Sequence, residues 1–577
     1  MVSEPVLTPA RDGLQRAAVL AGAFLLYLGA VVWLTWPLAA RLTTQLPFTH
    51  AACNFDLFQT AFVLAHESRA LTEAPSTFAD APLYHPTPGA LFYADAAFGS
   101  LPFFLPAFVL SGNPTLALNL AFLVPAALTA LALHLVTRRW TGSDLAGGIA
   151  GWTFLTTPWT FWTFAPSAPQ YVALLYFPFV ILLATRPPSR RRDLGLAALI
   201  ALQSLSSPVY ISAAVLAPLG VLAMGRLLRP SGRRDGLGLL GAMALGVLLL
   251  APALAGYVAV RIANPDLAEQ SYWRWWHVTT ELPWGPVADL RVPTAVPFIA
   301  FVLAAAGLVS LALPWRERNA PVAARAFGHA VFWSAAGIVM SISPAATWYG
   351  RPIRIPHTLL VEWIPPYGTL RESFRLGVAG LMGLSLAAGL GFALCVARLP
   401  VRGRTAALAA TLVAFVVGGE AYREYRAREA FERQPVPHRY ALLTPPAASD
   451  GIVQALRAGH GPVLEIPVDM TRYGPAPGRH AHAMYRAIFH RRPLLNGYGG
   501  YWPDGFIERM RLASQLPDPA ALAALRRQTG LATVVVDTRS LHHAERAAWR
   551  RTLAGGSPGL HPSGTYGDAV VLDVRDE

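Results

Sequence analysis

The chain has 577 residues, of which 54% are hydrophobic and only 14% charged, with a formal net charge of +14. Soluble domains carry about 25% charged residues, so a single soluble globular domain is excluded. The positive balance does not point to nucleic acid, because the arginines cluster in short connections between apolar stretches.

The first apolar stretch, about Ala17–Ala39, is too long for a secretory signal core and lacks a small-residue cleavage site. It is expected to be the first membrane span, with Arg11 and Arg16 holding the N-terminus in the cytoplasm. A span needs roughly 20 apolar residues. Further candidates are residues 113–137, 144–164, 170–185, 194–207, 209–228, 236–260, 294–314, 329–346, 374–398 and 405–422, about eleven in all. Alternating them from an inside N-terminus puts Arg138 and Arg139, Arg186 and Arg190–Arg192, Arg226–Arg234, Arg316–Arg325 and Arg398–Arg404 in the cytoplasm, the positive-inside pattern. Residues 40–112, 262–293, 347–373 and 423–577 then lie outside an inner (plasma) membrane. Cys53 and Cys395 fall on opposite faces, which rules out a disulfide between them.

Two places strain this scheme. Residues 96–111 are apolar but short and interrupted by Pro102 and Pro106, and are expected to form an interfacial or re-entrant helix. The pair 194–207 and 209–228, broken at Ser206-Ser207-Pro208, reads as two short spans or one kinked span. The expected fold is thus an α-helical polytopic membrane domain, residues 1–422, followed by a soluble extracytoplasmic α/β domain, residues 423–577. In that tail, Pro462–Pro467, Ala532–Asp537 and Ala569–Val574 are β-branched runs typical of buried strands. Pro519–Gly530 has helical apolar spacing and a terminal glycine.

Chemistry is expected in the outer loop 40–112, which holds Asn54, Asp56, His66, Glu67, Asp80, His85 and Asp95 among aromatics. Acidic groups near a bilayer are costly to desolvate, which marks them as functional candidates. Asp56 opens an amphipathic helix, where a carboxylate also caps free backbone N–H groups. The turn-rich segment Leu83–Asp95 projects His85 and Asp95. These residue types also admit a divalent cation on Asp56, Asp95 and His85, although no HxH or ExxH spacing supports one. Among outer arginines, Arg371 and Arg375 sit at i, i+4 before a span and suit a phosphate at headgroup level. Trp273, Trp275, Trp276 and Trp284 read as an aromatic belt, or as a surface for stacking sugars.

The order of span, long outer loop with an early Asp56, His85-Pro86-Thr87-Pro88-Gly89 leading to Asp95, many short spans and an outer tail resembles the GT-C class of membrane glycosyltransferases. It looks most like the bacterial proteins grouped with protein mannosyltransferases and lipid A aminoarabinose transferases. The tail segment Arg492–Tyr501, rich in glycine and aromatics, supports the resemblance. It implies that a sugar moves from a polyprenyl-phosphate donor in the outer leaflet to a glycan, lipid or protein acceptor. It also implies that Asp56 is the catalytic base. Asn54 stands where a full Asp-x-Asp would place its first carboxylate, so the resemblance favours base catalysis by Asp56 alone, without a required metal. Arg371 and Arg375 would face the carrier phosphate, with His85 and Asp95 shaping the cleft. The rival readings are a transporter or flippase of lipid-linked sugars and a non-catalytic membrane scaffold.

Overall fold

The computed structural model describes residues 9–48, 54–162, 164–265, 280–282, 293–311, 320–343, 346–363, 370, 373–400, 440–471, 474–556 and 558–575, with a few positions between 403 and 413. The aromatic belt, Arg371, the boundary expected at 422/423 and most of the last expected span lie outside the described residues. Among the described residues, six helices are long and apolar enough to cross a membrane. They lie within Ala17–Leu34, Pro114–Thr141, Tyr210–Leu227, Pro230–Ala263, Val322–Ser341 and Ser373–Val396. The chain is a multi-pass membrane protein with a sheet-containing C-terminal domain.

The remaining expected spans are shorter than a bilayer crossing. Asp144–Thr156 has 13 residues, Phe177–Ala184 has 8, Arg190–Ser204 has 15 and Phe298–Leu311 has 14. Pro158 ends the first of them, because a residue before proline is pushed out of the helical region, and Thr157 is extended at ψ 130°. Residues 96–111 become a short turn and the helix Leu101–Ser111, about 16 Å long and too short to span.

Helix Val378–Val396 is almost wholly buried and organises the body through its glycines. A Cβ on Gly337 of the neighbouring helix would lie 1.9 Å from the Gly380 nitrogen, and one on Gly391 would lie 2.2 Å from the Leu303 carbonyl. Gly383 and Gly389 similarly abut Ser334 and Ala146. Small residues at such crossings let helix backbones approach where no hydrophobic force between helices operates.

One face collects the arginine-bearing ends. Arg192, its side chain 2% exposed, pairs with Asp193 at 2.5 Å and with Asp235, while Arg226 reaches Asp235 at 2.7 Å. Arg226 also donates to the Ala184 carbonyl at 2.8 Å. The start of Arg190–Ser204 and the end of Tyr210–Leu227 therefore meet at Asp235, so the two helices form an antiparallel hairpin and not one kinked span. Its tip, Ser206-Ser207-Pro208, points into the body.

In the C-terminal domain the strand order is Leu560–Tyr566, Ala569–Val574, Thr533–Asp537, Val463–Ile466. The last pair is parallel, with Val463 opposite Thr533, and needs the crossover that helices Pro477–His490, Phe506–Ser514 and Pro519–Thr529 supply. Asp518 caps the last of these by accepting from the Ala521 N–H at 2.9 Å, and Gly530 closes it at φ 65°. The strand Leu560–Tyr566 is not legible in the sequence LHPSGTY, which is polar and carries a proline; it survives as an exposed edge.

Asp235 neutralises two arginines, one of them buried. Replacing it, Asp235→Ala, is expected to lower stability by about 3 kcal/mol, because breaking a buried pair strands a charge. Thermal unfolding of the detergent-solubilised protein measures this.

Candidate functional site

Three segments that leave α-helical geometry meet inside the helical body, opposite the arginine face. Residues 164–176 descend beside helix Pro114–Thr141, where the Thr129 hydroxyl donates to the Val172 carbonyl at 2.8 Å and accepts from Leu174 N–H. Thr129 lies fifteen residues into that helix, roughly 22 Å along its axis. Such irregular backbone is tolerated at depth only when buried in protein or lining a cavity. Gln203 supplies the partners here: its Oε1 accepts from the Tyr176 and Phe177 N–H groups, and its Nε2 donates to the Ala173 carbonyl. The turn 204–209 meets residues 94–100 directly, with Gly99 N–H donating to the Leu205 carbonyl at 2.7 Å. A Cβ at Gly99 would sit 2.6 Å from Ser206.

Asp95 stands at this junction. The Tyr257 hydroxyl fixes its backbone by accepting from the Ala96 N–H at 2.8 Å and donating to the Ala94 carbonyl at 3.2 Å. Gln170 Nε2 donates to Asp95 Oδ2 at 3.4 Å, and the hydroxyls of Ser207 and Tyr171 lie against the same carboxylate. Burial raises the Asp95 pKa, opposed by Ser207, by the positive charge of Arg375 and by Gln170. Arg375 occupies the 3-10 turn Ser373–Gly377 that leads into the central helix. Its guanidinium lies over the rings of Phe164 at 4.8 Å, Tyr210 at 4.9 Å and Tyr171 at 5.6 Å. Aromatic faces surround this cation, and low dielectric strengthens its field at Asp95.

A second centre joins residues 54–93 to the C-terminal domain. Asp56 lies in the first turn of helix Asn54–Glu73, and its Oδ1 accepts from the Tyr498 hydroxyl at 2.8 Å. Phe55 packs edge-on against the same tyrosine. Tyr498 belongs to the segment Asn496–Tyr501, which interlocks with residues 82–93. Tyr84 and His85 N–H groups donate to the carbonyls of Asn496 and Leu494, and Gly500 N–H donates to the Tyr93 carbonyl at 2.7 Å. Gly497 and Gly499 are required by this closeness: a Cβ would meet the Tyr84 ring at 2.3 Å and the Tyr93 carbonyl at 2.6 Å. The Asn496 side chain locks the segment to strand Val463–Ile466, accepting from the Glu465 N–H and donating to its carbonyl.

The expected residues thus separate. Asp95 and Arg375 come together, Asp56 sits with Tyr498 in the second centre, and Arg371 lies outside the described residues. His85 is not turned toward either acid: its Nε2 meets the Thr529 carbonyl at 3.1 Å, so it serves the docking of the C-terminal domain. Among the described residues no three His, Cys, Asp or Glu side chains are grouped to share a metal. Gln170, Tyr171 and Tyr257 carry no signal of their own in the sequence, while Ser207 and Tyr498 lie in segments that stand out without pointing to either residue. The proline-rich run Ala165–Gln170 and the break at Ser206-Ser207-Pro208 were the signals available.

No family model matches the sequence, and neither does any curated protein. Among solved structures the chain is similar to ArnT from Cupriavidus metallidurans in the apo state, at 14% identity and TM-score 0.48, covering 97% of this chain and 98% of that one. It is similar to the same protein bound to undecaprenyl phosphate, at 14% identity and TM-score 0.48, covering 98% of each chain. It is also similar to the oligosaccharyltransferase of Archaeoglobus fulgidus in the apo form, at 12% identity and TM-score 0.45, covering 96% of this chain and 74% of that one. Overlaps and identities of this size carry no weight for the site, which rests on the contacts above.

Glu67, on helix Asn54–Glu73, is wholly buried, with no hydrogen-bond partner for either carboxyl oxygen among the described residues. Burial, helped by the charge of Asp95, raises its pKa well above the usual 4.5. In the unfolded chain it ionises above that pH while the folded form keeps its proton, so folding loses stability as pH rises from there. Glu67→Gln is expected to melt at a higher temperature than wild type at pH 8, with the difference vanishing toward pH 4.5. A melting difference that does not change with pH would contradict this.

Proposed function

We propose that the chain is an integral-membrane glycosyltransferase of the GT-C type, moving a sugar from a polyprenyl-phosphate donor to an acceptor at the extracytoplasmic face of the inner (plasma) membrane. On this reading the N-terminus is cytoplasmic, and the C-terminal domain roofs the site from outside. The observation that supports the proposal is the buried Asp95 with the charge of Arg375 beside it, set among apolar helices away from the arginine clusters. On this reading a lipid-borne phosphate would approach Arg375 from the bilayer, and a water-soluble acceptor would approach Asp56.

In the proposed reaction the acceptor hydroxyl or amine attacks the anomeric carbon. Asp56 takes its proton, with Tyr498 holding the carboxylate by a hydrogen bond. The bond from the anomeric carbon to the phosphate oxygen breaks, and its electron pair stays on the phosphate. Arg375 meets the charge that develops there, and Asp95, Gln170 and the aromatic walls fix the guanidinium's direction.

Asp56→Asn is expected to lower kcat by about 10²–10⁴-fold, the usual contribution of a general base. Arg375→Lys keeps the charge but loses the planar fork, and is expected to cost about 10²-fold or more. Transfer of labelled sugar from polyprenyl-phosphate donors, assayed in membranes holding each variant, measures both. Undiminished transfer by Asp56→Asn would refute the base assignment. Movement of labelled donor between leaflets without glycoside formation would favour the flippase reading.

A further inference from the structure

A cavity of about 170 Å³ lies between the outer-loop helix Asn54–Glu73 and the end of helix Pro477–His490, away from both centres above. The residues that give it character are His66, Arg69, Glu73, Thr77, Ile488 and Arg491. Four of them come from the two helices' facing surfaces, and Arg491 follows the second helix in the left-handed conformation, φ 59°. The volume corresponds to several water molecules at roughly 30 Å³ each. It is below the roughly 300 Å³ at which small-molecule pockets begin, so it suits a headgroup fragment and not a whole glycolipid.

Arg69 is the informative side chain. Its guanidinium lies over the Phe108 ring at 5.1 Å, and no hydrogen-bond or ion-pair acceptor meets it among the described residues. Burial, aided by the positive charge of Arg491, lowers its pKa to about 10, which leaves it charged at neutral pH. Arg491 pairs with Glu73 at 3.0 Å, while Arg457 covers the Phe489 carbonyl at the helix end. Asp80 lies near His66 but is engaged by the Gly89 N–H at 2.7 Å. One positive charge in the cavity wall is therefore left over.

The position decides what fills it. Phe108 precedes the spanning helix Pro114–Thr141 by six residues, so Arg69 sits at the level where that helix enters the bilayer. Val109 and Leu110 on the same short helix are 53% and 88% exposed, an apolar edge suited to acyl chains. We infer that this cavity holds the phosphate headgroup of an anionic membrane lipid, gripped by Arg69 and Arg491, as a site separate from any donor site. It does not depend on the glycosyltransferase reading.

Full-length protein in nanodiscs of phosphatidylcholine with added phosphatidylglycerol tests this, with bound lipid counted by native mass spectrometry. The double variant Arg69→Gln/Arg491→Asn is expected to bind phosphatidylglycerol at least tenfold more weakly, asparagine being tolerated at the left-handed position. Arg139→Gln, on the opposite arginine face, is expected to bind as wild type does. Thr77→Glu adds a negative charge at an exposed rim position without disturbing packing, and is expected to reproduce the loss even if the double variant folds poorly. Unchanged binding by Thr77→Glu, or equal loss in Arg139→Gln, would overturn the inference. Displacement of the lipid by millimolar inorganic phosphate would overturn the lipid assignment and make the cavity a site for soluble phosphate.

Discussion

The structure depends on one constraint: every backbone N–H and C=O inside an apolar body must find a partner within the protein, at a cost of several kcal/mol for each that does not. Three segments leave helical geometry at depth, and they satisfy the constraint by bonding to one another. Gln203 serves the backbone of Ala173, Tyr176 and Phe177, Gly99 reaches Leu205, Thr129 spans Val172 and Leu174, and Tyr257 clasps the backbone on both sides of Asp95. Asp95, Gln170 and Arg375 meet where these segments join, and Ser207 there serves both the Tyr210 N–H and the Asp95 carboxylate. The candidate site lies at that junction.

The same constraint explains what could be read from the sequence. Arginine clusters follow a rule about loops, and they brought Arg192, Arg226 and Arg398 to helix ends without any tertiary knowledge. Asp95 and Arg375 were legible because a charge beside an apolar run is conspicuous. Gln170 and Ser207 were not, because hydropathy averages over a window and absorbed them into expected spans of 170–185 and 194–207. The helices there are short for a physical reason: the rest of each segment is irregular chain, whose register only its hydrogen-bond partners determine. The hairpin at Ser206-Ser207-Pro208 needed the Arg192–Asp235–Arg226 cluster to decide between two helices and one.

The C-terminal domain shows a different limit. Its strands were legible from β-branched runs, and its helix Pro519–Thr529 from Asp518 and Gly530. The glycines of Gly497-Tyr498-Gly499-Gly500 were visible as unusual, but their reason lies some four hundred residues upstream, in the Tyr84 ring and the Tyr93 carbonyl. No local pattern reports a partner that distant. His85 failed for the same reason: its context marks an exposed loop, and only the Thr529 carbonyl reveals that it anchors the domain. The interlocking of residues 82–93 with 494–501 ties the C-terminal domain to the loop that carries Asp56, so that Asp56 receives its phenolic hydrogen bond from Tyr498.

Charge balance links the first centre to the proposed reaction. At rest Arg375 faces Asp95, and the pair is close to neutral in a medium that penalises net charge. A phosphate entering opposite Arg375 adds negative charge to a space that already holds a carboxylate. Asp95 is the group able to yield, because burial has already raised its pKa and a nearby anion raises it further. Protonated, it would offset the added charge, and it would still accept from Gln170. The buried carboxyl of Glu67, close enough to feel the charge of Asp95, is held in its neutral form by the same low dielectric. On the proposed reading, the site would exchange one negative charge for another as the phosphate arrives, and the acid that yields is the one whose flanking backbone the Tyr257 hydroxyl holds in place.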